Sequence, residues 1–207
     1  MKVLLINGSP RENGCTYTAL TEVAGALNAG GIETELLHIG GRVQRGCAAC
    51  GGCSATGRCV LDDAVNEALD LMEGCDALVL GSPVHYASAS GDITGFGDRF
   101  FYAGGGGLAH KPGAAVVSAR RAGTTAALDQ LNKYFTISRM PIVSSQYWNM
   151  VHGNLPEQVR QDTEGLQIMR TLGRNMAWLL HCIEAGRKAG LTPPEPEEQR
   201  HVTNFIR

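Results

Sequence analysis

No apolar run in this 207-residue chain approaches the roughly 18 residues of a membrane-spanning helix, so no membrane partner is expected. A basic excess is missing too: 18 Lys and Arg stand against 20 Asp and Glu, for a net charge of -2. That near-balance excludes general nucleic-acid binding, which needs a basic face, and it leaves no acidic tail. The N-terminal Met-Lys-Val-Leu-Leu-Ile-Asn-Gly-Ser-Pro is too short in its apolar part for a signal-peptide core and lacks a small-residue cleavage site, so a cytoplasmic protein is expected. No internal repeat and no second domain are visible. His38, His110, His152, His181 and His201 are scattered without a carboxylate at ligand spacing, and no Ser-His-Asp arrangement can be read from the residue order. At 43% hydrophobic and 18% charged, the composition is that of an ordinary soluble protein. A chain of this length buries roughly 70% of its unfolded surface.

Two residue types are abundant. There are 27 glycines and seven cysteines. Four of the cysteines fall between Cys47 and Cys59. In a chain read as cytosolic, such a cluster points to metal or redox chemistry before a disulfide framework.

The hydrophobic pattern alternates between buried strands and helices. Residues 2–7 (KVLLIN) form a continuous apolar run that ends in a Gly-Ser-Pro turn, as a strand buried on both faces does. Residues 16–29 have helical spacing and stop at Gly30-Gly31. Strands are then expected at 32–39, 76–81, 112–118 and 141–145. Helices are expected at 62–73, 91–102 and 123–139, with a long one within 157–189 that turns Leu166, Met169, Leu172, Met176, Leu179, Leu180 and Ile183 inward. Cys75 and Cys182 lie on apolar helical stretches and are expected in the core. Such β-α alternation predicts an α/β fold, a doubly wound five-stranded parallel sheet with right-handed crossovers. Ligands then bind beyond the carboxyl ends of the strands. The segment 42–61 does not fit the alternation and reads as a cysteine-rich insert after the second strand. One domain is expected over 1–190, with a surface tail over 191–207.

The first loop, Gly-Ser-Pro-Arg-Glu-Asn-Gly-Cys-Thr (8–16), leaves a buried strand and opens a helix. Helix-start amides, the Ser9 and Thr16 hydroxyls and the Arg11 charge make a site for a phosphate dianion. The loop is not a Walker A motif, because Cys15 follows Gly14 where a Lys is needed. It lacks the dinucleotide fingerprint G-x-G-x-x-G. Cys15 near a helix N-terminus should have a lowered pKa, but a cysteine phosphatase would need Arg five residues beyond it, and position 21 is Thr. Ser82-Pro83 reads as a stiff turn that presents Val84, His85 and Tyr86. Four glycines at 104–107 read as a lid, an oligomer contact or a plain loop. Tyr147 and Trp148 near the last strand read as packing before pocket lining.

The motifs N-G-S-P-R-x-N-G at 7–14 and G-S-P-V-H-Y-A-S-A-S-G at 81–91, followed by Phe96 and Asp98-Arg99, together with the compact cysteine group, resemble the flavodoxin-like NAD(P)H-dependent FMN reductase superfamily. Within it the chain is most similar to the iron-sulfur flavoproteins. The resemblance implies a flavodoxin-like sheet of order 2-1-3-4-5 and an FMN site. It places the phosphate at Ser9, Arg11, Asn13, Gly14, Cys15 and Thr16. It places the ring between Pro83, Val84, His85 and Tyr86 on one side and Ser118, Arg120 and Gly123 on the other. It also implies a homodimer or homotetramer, with NAD(P)H or ferredoxin as electron donor and a small molecule or a protein as acceptor.

Cys47, Cys50, Cys53 and Cys59 have the spacing C-x2-C-x2-C-x5-C. Two successive short gaps let one loop wrap three corners of a cubane. Structural zinc takes two Cys pairs a dozen or more residues apart, so a [4Fe–4S] cluster is favoured over zinc or empty thiols. The last gap departs from the bacterial ferredoxin pattern, which ends Cys-Pro. Arg42, Arg45 and Arg58 flank the group and would offset its negative charge. The leading expectation is an oxidoreductase or electron carrier with FMN and a cluster. A cluster-free NAD(P)H:FMN or quinone reductase, a non-enzymatic shuttle and a metal-binding regulatory module stay open.

Overall fold

The computed structural model describes residues 1–194 together with His201 and Thr203. The expected surface tail, beyond Pro194, otherwise lies outside the described residues. Strand β1 (Lys2–Asn7) is followed by helix α1 (Cys15–Ala29) and β2 (Glu33–His38). After the cysteine-rich segment, with its short helix α2 (Cys53–Thr56), come α3 (Ala64–Glu73), β3 (Ala77–His85), β4 (Ser88–Ala89) and α4 (Gly91–Gly104). A 3-10 turn (Gly105–Leu108) leads to β5 (Gly113–Ala119), α5 (Thr124–Ile137), β6 (Met150–His152), α6 (Pro156–Val159) and α7 (Thr163–Lys188).

The parallel strands pair in the order β2-β1-β3-β5-β6, and β4 hangs off β3 as an antiparallel hairpin partner. Leaving β4 aside, this is the expected doubly wound order. The strand alternation sorts the core into two layers. Val3, Leu5, Val79 and Val116 face α1 and α7, where Leu20, Leu27, Met169, Leu172 and Met176 are buried. Leu4, Ile6, Leu80 and Val117 face α3, α4 and α5, where Phe96, Phe100 and Phe135 are fully buried. Phe96 and Phe100 stack with centroids 5.1 Å apart. In α7 the inward residues Met169, Leu172, Met176 and Leu180 are buried as expected, whereas Leu166, Leu179 and Ile183 are only partly covered.

Three expectations need correction. The fifth strand is β6 at Met150–His152, not 141–145. The latter segment touches β5 through a single bridge, Gly113 to Ile142. The chain then leaves the sheet and rejoins it where Val117 faces Met150. Between those two pairings β5 advances four residues and the interrupted strand eight, so the loop from Ser144 to Trp148 is pushed outward. Ser82-Pro83 is not a turn: β3 continues through it, with Pro83 opposite Ser118. The reversal comes at Tyr86 (φ 50°) and Ala87 (φ 59°), between the paired residues His85 and Ser88. Two successive left-handed residues are the signature of a type I′ hairpin turn, which ordinarily uses Asn and Gly. Cys75 is buried, but Cys182 is exposed on the outer face of α7.

Candidate functional site

A cleft of about 280 Å3 opens at the carboxyl ends of β1, β3 and β5. It is lined by Ser9, Pro10, Arg11, Cys15, Thr16, Pro83, Val84, His85, Ser118, Ala119, Arg120, Gly153 and Asn154. The α1 N-terminus points its free amides here. Its N-cap is Gly14, no side chain caps the first turn, and no acidic residue stands in that turn. By contrast Asp63, Ser90 and Asp162 cap α3, α4 and α7 with side-chain oxygens. An uncapped helix start leaves unsatisfied N–H donors and a positive dipole end.

The loop before α1 is held from below. The Asn7 side-chain oxygen accepts from the Ser9 amide (3.1 Å), and Ser9 Oγ accepts from the Arg11 amide (3.1 Å). His38 Nε2 lies 2.8 Å from the Ser9 carbonyl oxygen. Thr16 Oγ1 and Ser118 Oγ are 2.9 Å apart and buried, so the two hydroxyls tie α1 to the end of β5 at the floor of the cleft.

Thus nine of the thirteen sequence-derived positions meet in one cleft: Ser9, Arg11, Cys15, Thr16, Pro83, Val84, His85, Ser118 and Arg120. The other four do not line it. Gly14 is buried as the helix cap, Asn13 is exposed, and Tyr86 stands fully in solvent at the hairpin tip. Gly123 (φ 93°) sits under that hairpin, where a Cβ would lie 2.6 Å from Ala87 Cα. Its part is to let the hairpin seat. Pro10, Ala119, Gly153 and Asn154 join the lining without having been singled out. Gly153 and Asn154 follow β6, the strand that the sequence pattern displaced. Cys15 departs from expectation: burial pushes its thiol pKa up, and the nearby Arg11 only partly opposes this. The thiol donates to the Gly153 carbonyl at 3.5 Å. Tyr147 and Trp148 pack edge to face on each other, 4.7 Å apart and half exposed, away from the cleft lining.

The second cluster lies beside α4. Cys47, Cys50, Cys53 and Cys59 all line one cavity of about 110 Å3, with Arg45, Val60, Leu61, Arg99 and Tyr102 among its other walls. Ala49 (φ 51°), Gly51 (φ 74°) and Gly57 (φ 68°) are left-handed, which lets so short a segment curl around the cavity. Among the described residues no three His, Cys, Asp or Glu side chains are gathered as they would be around a single ion. The Ala49 amide donates to Cys47 Sγ at 3.4 Å. Arg99 Nε donates to Cys59 Sγ at 3.1 Å.

Arg99 is the residue whose function the sequence pattern did not reveal. It is 2% exposed. Its guanidinium donates to both Asp63 carboxylate oxygens (2.7 and 2.9 Å) and to the carbonyls of Arg45 and Leu61. Burial alone would raise the Asp63 pKa. Hydrogen bonds from Arg99 and from the Gln44 and Val65 amides outweigh it and hold the carboxyl below its ordinary value. Of the three flanking arginines, only Arg45 reaches the cavity; Arg42 is paired with Glu67 and Arg58 with Asp70. Asn66 fixes the Cys59 backbone from both sides, accepting from its amide (2.9 Å) and donating to its carbonyl (3.0 Å).

The family model described as NADPH-dependent FMN reductase matches residues 1–154. The chain belongs to the NADPH-dependent FMN reductase family. This FMN reductase relative is 31% identical over 192 residues to an iron-sulfur flavoprotein of Methanocaldococcus jannaschii, covering 89% of this chain and all of the other. It is 37% identical over 99 residues to an iron-sulfur flavoprotein of Archaeoglobus fulgidus, covering 48% and 45%. Among solved structures, a flavone reductase superposes with a TM-score of 0.67 at 18% identity, over 89% of this chain and 64% of that one. An archaeal flavodoxin superposes with a TM-score of 0.60 at 14% identity, over 87% and 99%. These two likenesses establish the flavodoxin-like fold. Membership in the FMN reductase family makes the protein an FMN-dependent oxidoreductase. No helix among the described residues is long and apolar enough to cross a membrane.

Proposed function

We propose that this oxidoreductase binds FMN in the cleft at the α1 N-terminus and a [4Fe–4S] cluster between Cys47, Cys50, Cys53 and Cys59, and passes electrons between the two. The observation that carries the reading is the shared cavity of the four thiols, with a buried cation on one of them. A tetrahedral zinc holds its thiolates about 2.3 Å from one centre; thiols spread around a cavity suit a multi-iron core. The likeness to proteins named iron-sulfur flavoproteins adds weight to it.

The cleft fits FMN on its own chemistry. The uncapped α1 amides, Ser9 Oγ and Arg11 would receive the phosphate. Pro83 and Val84 would offer an apolar wall to the ring, and the paired Thr16 and Ser118 hydroxyls a polar floor. FMN, when bound, supplies hydride and single-electron chemistry, with NAD(P)H or ferredoxin as donor and a small molecule or protein as acceptor. Asn13, Gly14, Tyr86 and Gly123 support the cleft from outside its lining: Gly14 as cap, Gly123 as seat of the hairpin, Asn13 and Tyr86 at its rim. Operation as a homodimer or homotetramer in the cytoplasm belongs to the same reading.

The test is an anaerobic visible spectrum of the purified protein, with iron and acid-labile sulfide assayed on the same sample. A two-banded flavin spectrum over broad brown absorption is expected, with about four irons per chain. The variant Cys59→Ser should lose most of the brown absorption and keep the flavin bands. A yellow, iron-free protein after anaerobic handling and reconstitution would overturn the cluster and leave a simple FMN reductase. A colourless protein that fails to take up FMN would overturn the cleft assignment.

A further inference from the structure

We propose that Arg99 is a positioning residue that sets the reduction potential of the cluster through its hydrogen bond and charge on Cys59 Sγ, and that Asp63 sets how much of that charge the cluster feels. The inference rests on the cluster reading above. Its basis is the geometry of one buried ion pair. Arg99 Nε is 3.1 Å from Cys59 Sγ, while the other two guanidinium nitrogens are fixed on Asp63, Arg45 and Leu61 oxygens. All three nitrogens are engaged, so the Nε–H has no freedom to leave the sulfur. The Arg99 and Asp63 side chains are 1% and 5% exposed, which keeps water from screening either charge.

Adding one electron to a cluster raises its negative charge by one. A buried cation and an N–H donor at a ligand sulfur stabilise that extra charge and raise the potential; hydrogen bonds to cluster sulfurs are among the recognised levers on it. The Asp63 carboxylate, held on the far side of the guanidinium, partly cancels the cation. The two residues therefore act with opposite sign. Arg42 and Arg58, paired with Glu67 and Asp70 at the surface, have no comparable contact with a thiol.

The experiment is an anaerobic redox titration with dithionite as the one-electron reductant, the cluster followed by electron paramagnetic resonance. The four samples are the wild-type holoprotein, Arg99→Gln, Arg99→Lys and Asp63→Asn. Iron content is measured on each, and each is compared per cluster. In Arg99→Gln the reduced-to-oxidised ratio at a fixed potential is expected to fall at least tenfold, a downward shift of about 59 mV for one electron. In Asp63→Asn, where the helix cap is kept and the cation loses its counter-charge, the ratio is expected to rise. Arg99→Lys keeps the charge without the Nε–H and should fall between wild type and Arg99→Gln. A purely structural loosening would move Arg99→Gln and Asp63→Asn in the same direction, and that result would overturn the inference, as would unchanged midpoints in loaded variants. If wild-type protein takes up no iron, it is the cluster reading that fails, and the inference falls with it.

Discussion

Gly40→Ala is expected to lower FMN affinity at least a hundredfold, about 2.7 kcal/mol of binding free energy. Gly40 follows the end of β2 directly below the phosphate loop. A Cβ there would overlap the Ser9 carbonyl oxygen and lie 2.7 Å from both the Ser9 carbonyl carbon and His38 Nε2. The first two obstacles are backbone atoms, so no rotamer change relieves the clash, and the Ser9 loop must move. That displacement acts on the atoms assigned to the phosphate: Ser9 Oγ, the amide of Arg11 bonded to it, and the α1 amides beyond. The loss should be largest for FMN and small for riboflavin, which has no phosphate to misplace. Equilibrium titration by flavin fluorescence distinguishes the two. Gly25→Ala is the control. It lies on the exposed side of α1 with nothing within 4 Å of its Cβ position, and it should stabilise the helix by up to ~1 kcal/mol without touching affinity. Wild-type FMN affinity in Gly40→Ala would refute the loop's assignment to the phosphate.

Asp63→Ala should be the most destabilising change outside the two apolar layers. Asp63 accepts four hydrogen bonds, two from Arg99, one from the Gln44 amide and one from the Val65 amide at the start of α3. Removing it strands a buried guanidinium, for which about 3–5 kcal/mol is typical, and removes an N-cap worth ~1 kcal/mol. In a chain of this size the midpoint of thermal unfolding should drop by on the order of 10 °C. Denaturant melts check the free energy directly. The double variant Asp63→Ala with Arg99→Met, which strands no charge, should be less damaged than Asp63→Ala alone. If Asp63→Ala melts within a degree or two of wild type, the pair is not holding the base of the cysteine segment.

The sequence showed the fold wherever the hydrophobic period was regular. KVLLIN and the apolar start of β3 are buried on both faces, and a residue pattern with no polar side can be little else. It failed where the backbone pattern is interrupted. Ile142 and Val143 have the composition of a strand, but the pairing breaks after one bridge and resumes at Met150. Hydrophobicity reports burial, and Val143 is buried; it does not report which amides are paired. The hairpin at Tyr86 and Ala87 was hidden for a related reason, since neither residue favours the left-handed backbone that the turn imposes. The cleft was mostly legible because loops at strand ends must converge in a doubly wound sheet. Arg99 was not, because its meaning depends on partners 36 and 40 residues away, and local sequence carries no sign of such a pairing.

The two layers of core are closed by residues that lie almost wholly outside the cysteine segment. Between Arg42 and Leu61 only Val43 and Cys59 touch either layer, and both do so from its margin. Cys47 and Cys50 are exposed, and α2 has no buried residue. In small metal-dependent domains the ligands are also the staples of the fold, and removing the metal unfolds the chain. Here the fold is complete before anything occupies the thiols. Gaining or losing the occupant of that segment is then a loading event on a finished protein, repairable in place without a new round of folding.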